Sequence, residues 1–461
     1  MEALNAALLT NPHLTSLPHP RADIIAPRDI THTTGTAEIL RSPEVRTRIS
    51  GDFLLLPCDL VCEMPGELLV DSWMMRQRPM GTLSIEQSPH PSRNYTGFRN
   101  TTRGGGIGVW YNTKGDDYVK GAETDFIIAA QDEKPVARPP LTLLRSNLSK
   151  LLYTCTTDTL RDTLQEQGGF PLRTGILRKH GNVKMLMTCR AAHVYIFPHW
   201  MLQVIEKNTN FDNVSEDVIG WWAKASWQDG LAEKLQMREA FLKSGSKAKT
   251  SNQAGEFENP DINKPHMSKD SSTVPNILAY MHPTSSSYLI RRVDTPALLL
   301  STSLYLAALP PLESATESAP PYAHKTKIST DASLIAQRTT IDSQTTLVAP
   351  NTTVAKHCTI KSSCIGASCG IGEGVKITGS LLMDGVIVKD KASLQGCILG
   401  RRCIIGKGAK LEGCEVQEGY KIEDGTVGSK GDKFCVFEGL ENGLTSMQGD
   451  ESGDDNENES S

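Results

Sequence analysis

The sequence lacks any apolar run that approaches the length of a membrane-spanning helix, about 18 residues. Its first residues, Met1 to Leu9, include Glu2 and no basic residue, so they do not have the composition of a secretory signal peptide. Because no export signal is found, we expect the eleven cysteines to be reduced thiols in the cytosol.

The sequence also lacks an excess of basic residues. Its formal net charge is −5 at pH 7, so it has no general electrostatic attraction to nucleic acid or to an anionic membrane. We therefore expect no direct nucleic-acid partner and no membrane partner. A chain of 461 residues, 38% of them hydrophobic, is long enough for two or three domains with buried cores.

Residues 1–309 have the alternating pattern of an α/β domain. The apolar run from Asp52 to Pro57 is typical of a buried parallel strand, and alternating strands and helices predict a parallel sheet with helices on both faces. Further strands are predicted at Gly81–Glu86, Gly108–Asn112, Asp125–Ala130 and Ala192–Phe197. Helices are predicted at Asp158–Glu166, Pro198–Asn208 and Ser215–Lys224.

The composition changes at three further places along the chain. Residues from about 243 to 272 are polar and rich in Ser, Lys, Asn and Gly, which predicts a disordered insertion. Residues 310–327 begin with a proline-rich stretch and are expected to form a linker. Residues 438–461 are polar and acidic and are expected to form a disordered tail.

A repeat occupies residues 328–437. Aliphatic residues recur at spacings of six, six and five, so that one coil has 17 residues, and the coils begin at Val348, Ile365, Leu382, Leu399 and Val416. Three short strands per coil, stacked on the next coil, predict a parallel β-helix with a triangular aliphatic core. A less regular first coil is expected from Ile335, Ile341 and Leu347.

Small residues and glycines follow the same period. A small or thin residue four positions after each aliphatic is expected to point inward, and glycines just after an aliphatic are expected at corners with unusual backbone angles. The glycines are Gly366, Gly372, Gly400 and Gly406. Six cysteines share this period without any Cys-x-x-Cys pair, so we interpret them as core thiols, with no metal site. They are Cys358, Cys364, Cys369, Cys397, Cys403 and Cys414.

Rungs such as Ile371–Lys376 resemble the left-handed parallel β-helix of acyltransferases and sugar-nucleotide pyrophosphorylases, and this resemblance implies the left hand. Upstream, Thr34–Ala37 and Leu56–Leu60 resemble two segments of the pyrophosphorylase nucleotidyltransferase domain. The resemblance implies that Gly35 and Thr36 lie near a nucleotide and that Asp59 holds a metal, although Asp59 is also typical of a strand-end capping residue. The glycine-rich phosphate loop of that family is not found.

We therefore expect an incomplete, N-terminally truncated Rossmann-like nucleotidyltransferase domain, followed by the left-handed β-helix. Gly35, Thr36 and Asp59 would be vestiges of a nucleotide site, with no catalytic residue, no metal and no cofactor. The chain from Met1 to Phe437 resembles the gamma-subunit family of eukaryotic translation initiation factor 2B. It does so most clearly at Asn11–Leu17, Thr36–Arg41 and Phe53–Leu60.

That resemblance implies a cytosolic, non-catalytic subunit of the complex that exchanges GDP for GTP on translation initiation factor 2. It implies pairing with the catalytic epsilon subunit and assembly with the alpha, beta and delta subunits. The resemblance favours gamma over epsilon, because only a short acidic segment follows Val427. The alternative is a sugar-nucleotide pyrophosphorylase similar to mannose-1-phosphate guanylyltransferase.

Overall fold

The computed structural model describes residues 2–10, 23–28, 30–31, 33–77, 104–114, 119, 122–131, 147–250, 274–284, 288–311, 324 and 326–436. The chain divides into two compact units, residues 1–302 with 320–322 and residues 303–319 with 323–461. The division falls within the helix Pro296–Ala308, ahead of the expected linker at 310–327. Within the described part of the chain, no helix is both long and apolar enough to cross a membrane.

Helices occur along the whole first unit, and the last of them contains the division between the two units. They are α1 Glu2–Thr10, α2 Thr36–Arg41, α3 Pro43–Arg46, α4 Gly66–Gln77, α5 Thr157–Gln167, α6 Thr174–Lys179, α7 Trp200–Lys207, α8 Ile219–Ala225, α9 Leu231–Lys234, α10 Met237–Thr250 and α11 Pro296–Ala308. A π-helix, Val214–Val218, leads directly into α8. The helices predicted at 158–166, 198–208 and 215–224 are therefore confirmed, the last with a π-helical start.

A central sheet organises the first unit, with the strand order β1-β6-β3-β7-β5-β4 and an added pairing between β6 and β4. Its strands are β1 Phe53–Leu55, β3 Gly106–Asn112, β4 Asp125–Gln131, β5 Leu148–Thr156, β6 Val183–Phe197 and β7 Ile277–His282. A separate antiparallel pair joins β2 Leu60–Cys62 to β8 Ile290–Arg292. The strands predicted at 108–112, 125–130 and 192–197 are confirmed.

The prediction of a buried parallel strand at residues 52–57 is wrong. The run forms β1, which pairs antiparallel with β6 at the edge of the sheet, with Leu54 42% exposed and Leu56 55% exposed. The sheet as a whole is mixed: among its described strands only β3 and β7 pair in parallel. A short apolar run fits either an edge or a centre, and only its pairing partner decides which.

Both faces of the sheet carry a hydrophobic core, as predicted. Along β3, Trp110 belongs to the core that packs on α7 and α8. Ile107, Val109 and Tyr111 belong to a core on the opposite side, which includes Leu69 of α4. This alternation follows from the two-residue period of a strand and places the helices on both faces.

Four predicted features fall wholly or partly outside the described residues. One is the linker at 310–327, of which residues 312–323 and 325 lie outside them. The strand predicted at Gly81–Glu86 and the acidic tail at 438–461 lie outside them entirely. The helix α10 extends into the span predicted as an insertion, 243–272, and residues 251–272 lie outside the described part.

The second unit is a parallel β-helix, as the repeat predicts. Two-residue and three-residue strands stack into three sheets, and every pairing within them is parallel. Successive coils are in register at the 17-residue offset, as in the series Ile360, Ile377, Leu394 and Leu411. The strands are β9 Thr340–Ile341, β10 Leu347–Val348, β11 Thr353–Val354, β12 Thr359–Lys361, β13 Cys364–Ile365, β14 Gly370–Ile371, β15 Lys376–Thr378, β16 Leu381–Leu382, β17 Ile387–Val388, β18 Ser393–Gln395, β19 Ile398–Leu399, β20 Ile404–Ile405, β21 Lys410–Glu412, β22 Glu415–Val416, β23 Val427–Gly428 and β24 Lys433–Phe434.

The inward column of small residues differs from the prediction in the five-residue rung. There the inward residue lies three positions after the aliphatic, because the rung is one residue shorter. Ser363 is fully buried where Cys364 was predicted, and Cys364 instead forms the outward position of β13. The other five predicted core cysteines are buried, which confirms them as core residues.

Two details of the β-helix prediction also need correction. The first coil uses Ile328, Ile335 and Ile341, with bridges from Ile328 to Val348 and from Ile335 to Val354, while Leu347 faces outward. The glycines after the aliphatics do not have unusual backbone angles. At Gly372 a Cβ atom would lie 2.7 Å from the backbone nitrogen of Asp390, so glycine is needed there for close approach of the next coil.

Candidate functional site

The predicted nucleotide-binding segment around Gly35 is held by hydrogen bonds to residues 212 and 214. The Val214 backbone N–H donates to Oγ1 of Thr36 at 2.9 Å, and the Ala37 N–H donates to the Asp212 carbonyl at 2.9 Å. A Cβ atom at Gly35 would collide with the Asp212 carbonyl, so glycine permits this close approach. These contacts account for the segment as the packed start of α2.

Asp59 lies between β1 and β2, at the point where β2 pairs with β8. Its backbone carbonyl accepts from the Val293 N–H at 2.9 Å, and its carboxylate Oδ2 accepts from Nε of Arg292 at 3.2 Å. The β2–β8 pairing places Leu60 opposite Arg292, which brings the guanidinium beside Asp59. The structure therefore gives Asp59 an arginine partner, and it shows no contact between Asp59 and Gly35 or Thr36.

Arg292 extends this pair into a charge network. Its Nη2 donates to Oδ2 of Asp294 at 2.9 Å, and the same oxygen accepts from Nη2 of Arg190 at 2.6 Å. Arg190 is only 4% exposed. The network formed by Asp59, Arg292, Asp294 and Arg190 contains two carboxylates and two guanidiniums, and the half-exposed carboxylate of Glu123 lies 4.0 Å from Nη2 of Arg190. Paired and hydrogen-bonded charges are the form in which ionised groups are retained away from water.

His193 completes the surroundings of Arg292. It lies within β6, and its φ of 52° is a left-handed value rare for a non-glycine residue. Burial is the largest cause and the nearby Arg292 charge the second of a shift that lowers the pKa of His193 to about 4. The neutral ring can then accept a hydrogen bond from Nη1 of Arg292, which lies 3.2 Å from Nε2.

A polar cavity of about 120 Å³ adjoins the network and is lined by side chains from β3, β4, β5 and β6. Two of its lining residues, Arg190 and Trp110, have buried donors, Nη1 and Nε1, that find no acceptor among the described residues. Asp125 also lines the cavity, and its Oδ2 accepts from the Ala191 N–H at 2.6 Å. Burial raises the pKa of Asp125 to about 6. A water molecule or another small acceptor in the cavity would satisfy the two donors.

The sequence interpretation identified Asp59 but missed Arg190, Arg292 and Asp294. The sequence could have indicated these three residues, because charged residues interrupt or directly follow apolar strand segments at 190 and at 291–294. That signal does not name partners, since the contacts join residues more than a hundred positions apart. The prediction that Gly35, Thr36 and Asp59 are remnants of a nucleotide site stays a prediction.

The three outer faces of the β-helix differ in chemistry. One face presents a row of apolar side chains. One of them, Cys364, donates a hydrogen bond from Sγ to the carbonyl of Ser303 in α11 at 3.3 Å. The row consists of Leu347, Cys364, Leu381 and Ile398. A second face presents threonine, lysine and serine side chains, namely Thr340, Thr359, Lys376, Ser393 and Lys410. On the third face, Ile387 is 48% exposed.

Cysteines do not form a metal site in the described part of the chain, where no group of three or more Cys, His, Asp or Glu side chains could hold an ion. Burial raises the pKa of Cys403 to about 12 and that of Cys414 to about 11. These thiols therefore stay protonated and act as core side chains.

Comparisons with known proteins point to one family. Residues 325–427 match the family model described as the EIF2B subunit epsilon LbH domain, where LbH denotes a left-handed β-helix. A further similarity is to translation initiation factor eIF2B subunit gamma of Schizosaccharomyces pombe, 20% identical over 226 residues. The match covers 49% of this chain and 40% of that relative. The chain is thus similar to eIF2B subunits in these regions, and its fold is an α/β unit followed by a left-handed parallel β-helix.

Proposed function

We propose that this chain is a gamma-type, non-catalytic subunit of the complex that exchanges GDP for GTP on translation initiation factor 2. The observation that carries the proposal is the β-helix at residues 325–427, which matches the domain of an exchange-factor subunit. The similarity to a subunit named gamma supports the choice of gamma. The chain would act in the cytosol.

In this proposal the chain contributes to exchange by assembly. It pairs with the catalytic epsilon subunit, and the pair joins the alpha, beta and delta subunits. A stack of parallel coils supports such a role, because its faces are flat and its backbone is held by hydrogen bonds from coil to coil. The arginine partner of Asp59 further supports a non-catalytic α/β unit, since the carboxylate is already engaged.

Co-purification from cytosol tests this assembly. A tagged full-length chain is expected to recover an epsilon-like partner in near-equal amount, together with the alpha, beta and delta subunits. The matched control is a chain with the same tag and Ile377→Asp, which places a charge in the β-helix core where Ile377 is fully buried. Recovery of the wild-type chain without an epsilon-like partner would contradict the proposal.

The alternative, a sugar-nucleotide pyrophosphorylase, makes a different measurable prediction. Such an enzyme releases pyrophosphate from a nucleoside triphosphate and a sugar phosphate. For the proposed subunit we expect no release above background with any pair. Release that disappears in the Asp59→Asn variant would favour the enzyme.

A further inference from the structure

Arg292 contacts two carboxylates that come from different segments of the chain. Its Nε donates to Asp59 Oδ2 at 3.2 Å and its Nη2 donates to Asp294 Oδ2 at 2.9 Å. The three side chains are 13%, 20% and 25% exposed for Arg292, Asp59 and Asp294 respectively. One guanidinium therefore neutralises both carboxylates in a partly desolvated position.

We infer that Arg292 is an internal cation that occupies the place of a divalent metal ion between Asp59 and Asp294. The metal role that the pyrophosphorylase resemblance implies for Asp59 does not fit this arrangement. Proteins usually bind Mg²⁺ through one or two carboxylates together with water, and here the guanidinium holds Oδ2 of each carboxylate.

The contacts of Arg292 fix the guanidinium in this place. In addition to the two carboxylates, Nη1 lies 3.2 Å from Nε2 of His193, so each of the three guanidinium nitrogens has a partner. The backbone N–H of Arg292 also donates to the hydroxyl of Tyr111 at 3.2 Å. Displacing the side chain would break all three side-chain contacts.

The charge count also opposes a metal while Arg292 is present. Arg190 contacts Asp294 at 2.6 Å, so the two carboxylates face two guanidiniums, and the half-exposed carboxylate of Glu123 lies 4.0 Å from Arg190. A divalent ion would add two positive charges beside the buried Arg190 and the partly buried Arg292. Like charges in a desolvated position repel strongly, so binding of the ion is disfavoured. Removing Arg292 should take away one of these positive charges and so favour binding of the ion.

Binding of Mn²⁺ to the full-length chain, purified with the partners that accompany it, tests the inference. Electron paramagnetic resonance measures bound Mn²⁺ for the wild type, Asp59→Asn, Arg292→Met and the double variant. We expect no difference between wild type and Asp59→Asn, because no ion is coordinated by Asp59. Arg292→Met should bind about tenfold more Mn²⁺ than wild type at millimolar Mn²⁺, a concentration suited to a two-carboxylate site.

The double variant is the control, since loss of Asp59 should abolish the binding gained in Arg292→Met. Mn²⁺ binding in the wild type that is lost in Asp59→Asn would overturn the inference. So would a folded Arg292→Met chain that gains no Mn²⁺. If Arg292→Met does not fold, the comparison of Mn²⁺ binding between the wild type and Asp59→Asn still tests the inference. The inference is independent of the exchange role, because co-purification can succeed or fail without changing Mn²⁺ binding.

Discussion

At the scale of single residues, burial is the main cause of the shifted pKa values of Asp125 and His193 in the α/β unit. Asp125 accepts from the Ala191 N–H, yet burial outweighs that hydrogen bond and raises its pKa to about 6. The neighbouring charges of Glu123, Arg190 and Arg292 have smaller effects. The folded protein therefore holds a proton on Asp125 in a pH range where the unfolded chain releases it.

This raised pKa predicts a pH-dependent stability. The folded-state pKa lies above the ordinary value of 3.8, so the contribution is present below about pH 4 and is lost as the pH rises through about 6. Wild type should lose about 2 kcal/mol of unfolding free energy relative to Asp125→Asn across that range. Urea unfolding at several pH values measures it.

The matched control for that experiment is Asp71→Asn, which removes the same charge from an exposed position on α4. Its stability relative to wild type should change little between pH 4 and pH 7. A constant difference between wild type and Asp125→Asn over the same range would contradict the assigned pKa shift.

At the scale of elements, the spacing between coils determines which glycines the β-helix requires. Gly372 is needed because the backbone of residues 389 and 390 passes close to it, and Gly370 has no such neighbour. The period revealed the aliphatic positions because every coil repeats them. It did not reveal the reason for the glycines, which depends on how closely the backbone of the next coil approaches. It also did not reveal the inward position of Ser363, which depends on how a five-residue rung turns.

Alanine substitutions at these two glycines should therefore differ. A Cβ atom at position 372 would lie 2.7 Å from the Asp390 nitrogen, whereas one at position 370 would have Thr353 Oγ1 as its nearest neighbour at 3.8 Å. We expect Gly372→Ala to cost about 1–3 kcal/mol and Gly370→Ala less than about 0.5 kcal/mol. Chemical denaturation measures both, and equal effects would contradict the close-approach explanation.

At the scale of the whole molecule, the two units differ in how far sequence predicts them. The β-helix could be predicted almost coil by coil, since each strand pairs with residues 17 positions away. The α/β unit could be predicted as elements but not as a sheet, because β1 pairs with β6 more than a hundred residues later. The candidate site depends on such long-range pairings, which explains why Asp59 was found without Arg292.

The central claim is that this chain supports nucleotide exchange as a non-catalytic subunit. Release of fluorescent GDP from translation initiation factor 2 tests it most directly, with the chain alone and with the complex that it recovers from cytosol. We expect the complex to accelerate GDP release at least several-fold over the spontaneous rate, and the chain alone to leave that rate unchanged. Acceleration by the chain alone, or none by its complex, would contradict the claim.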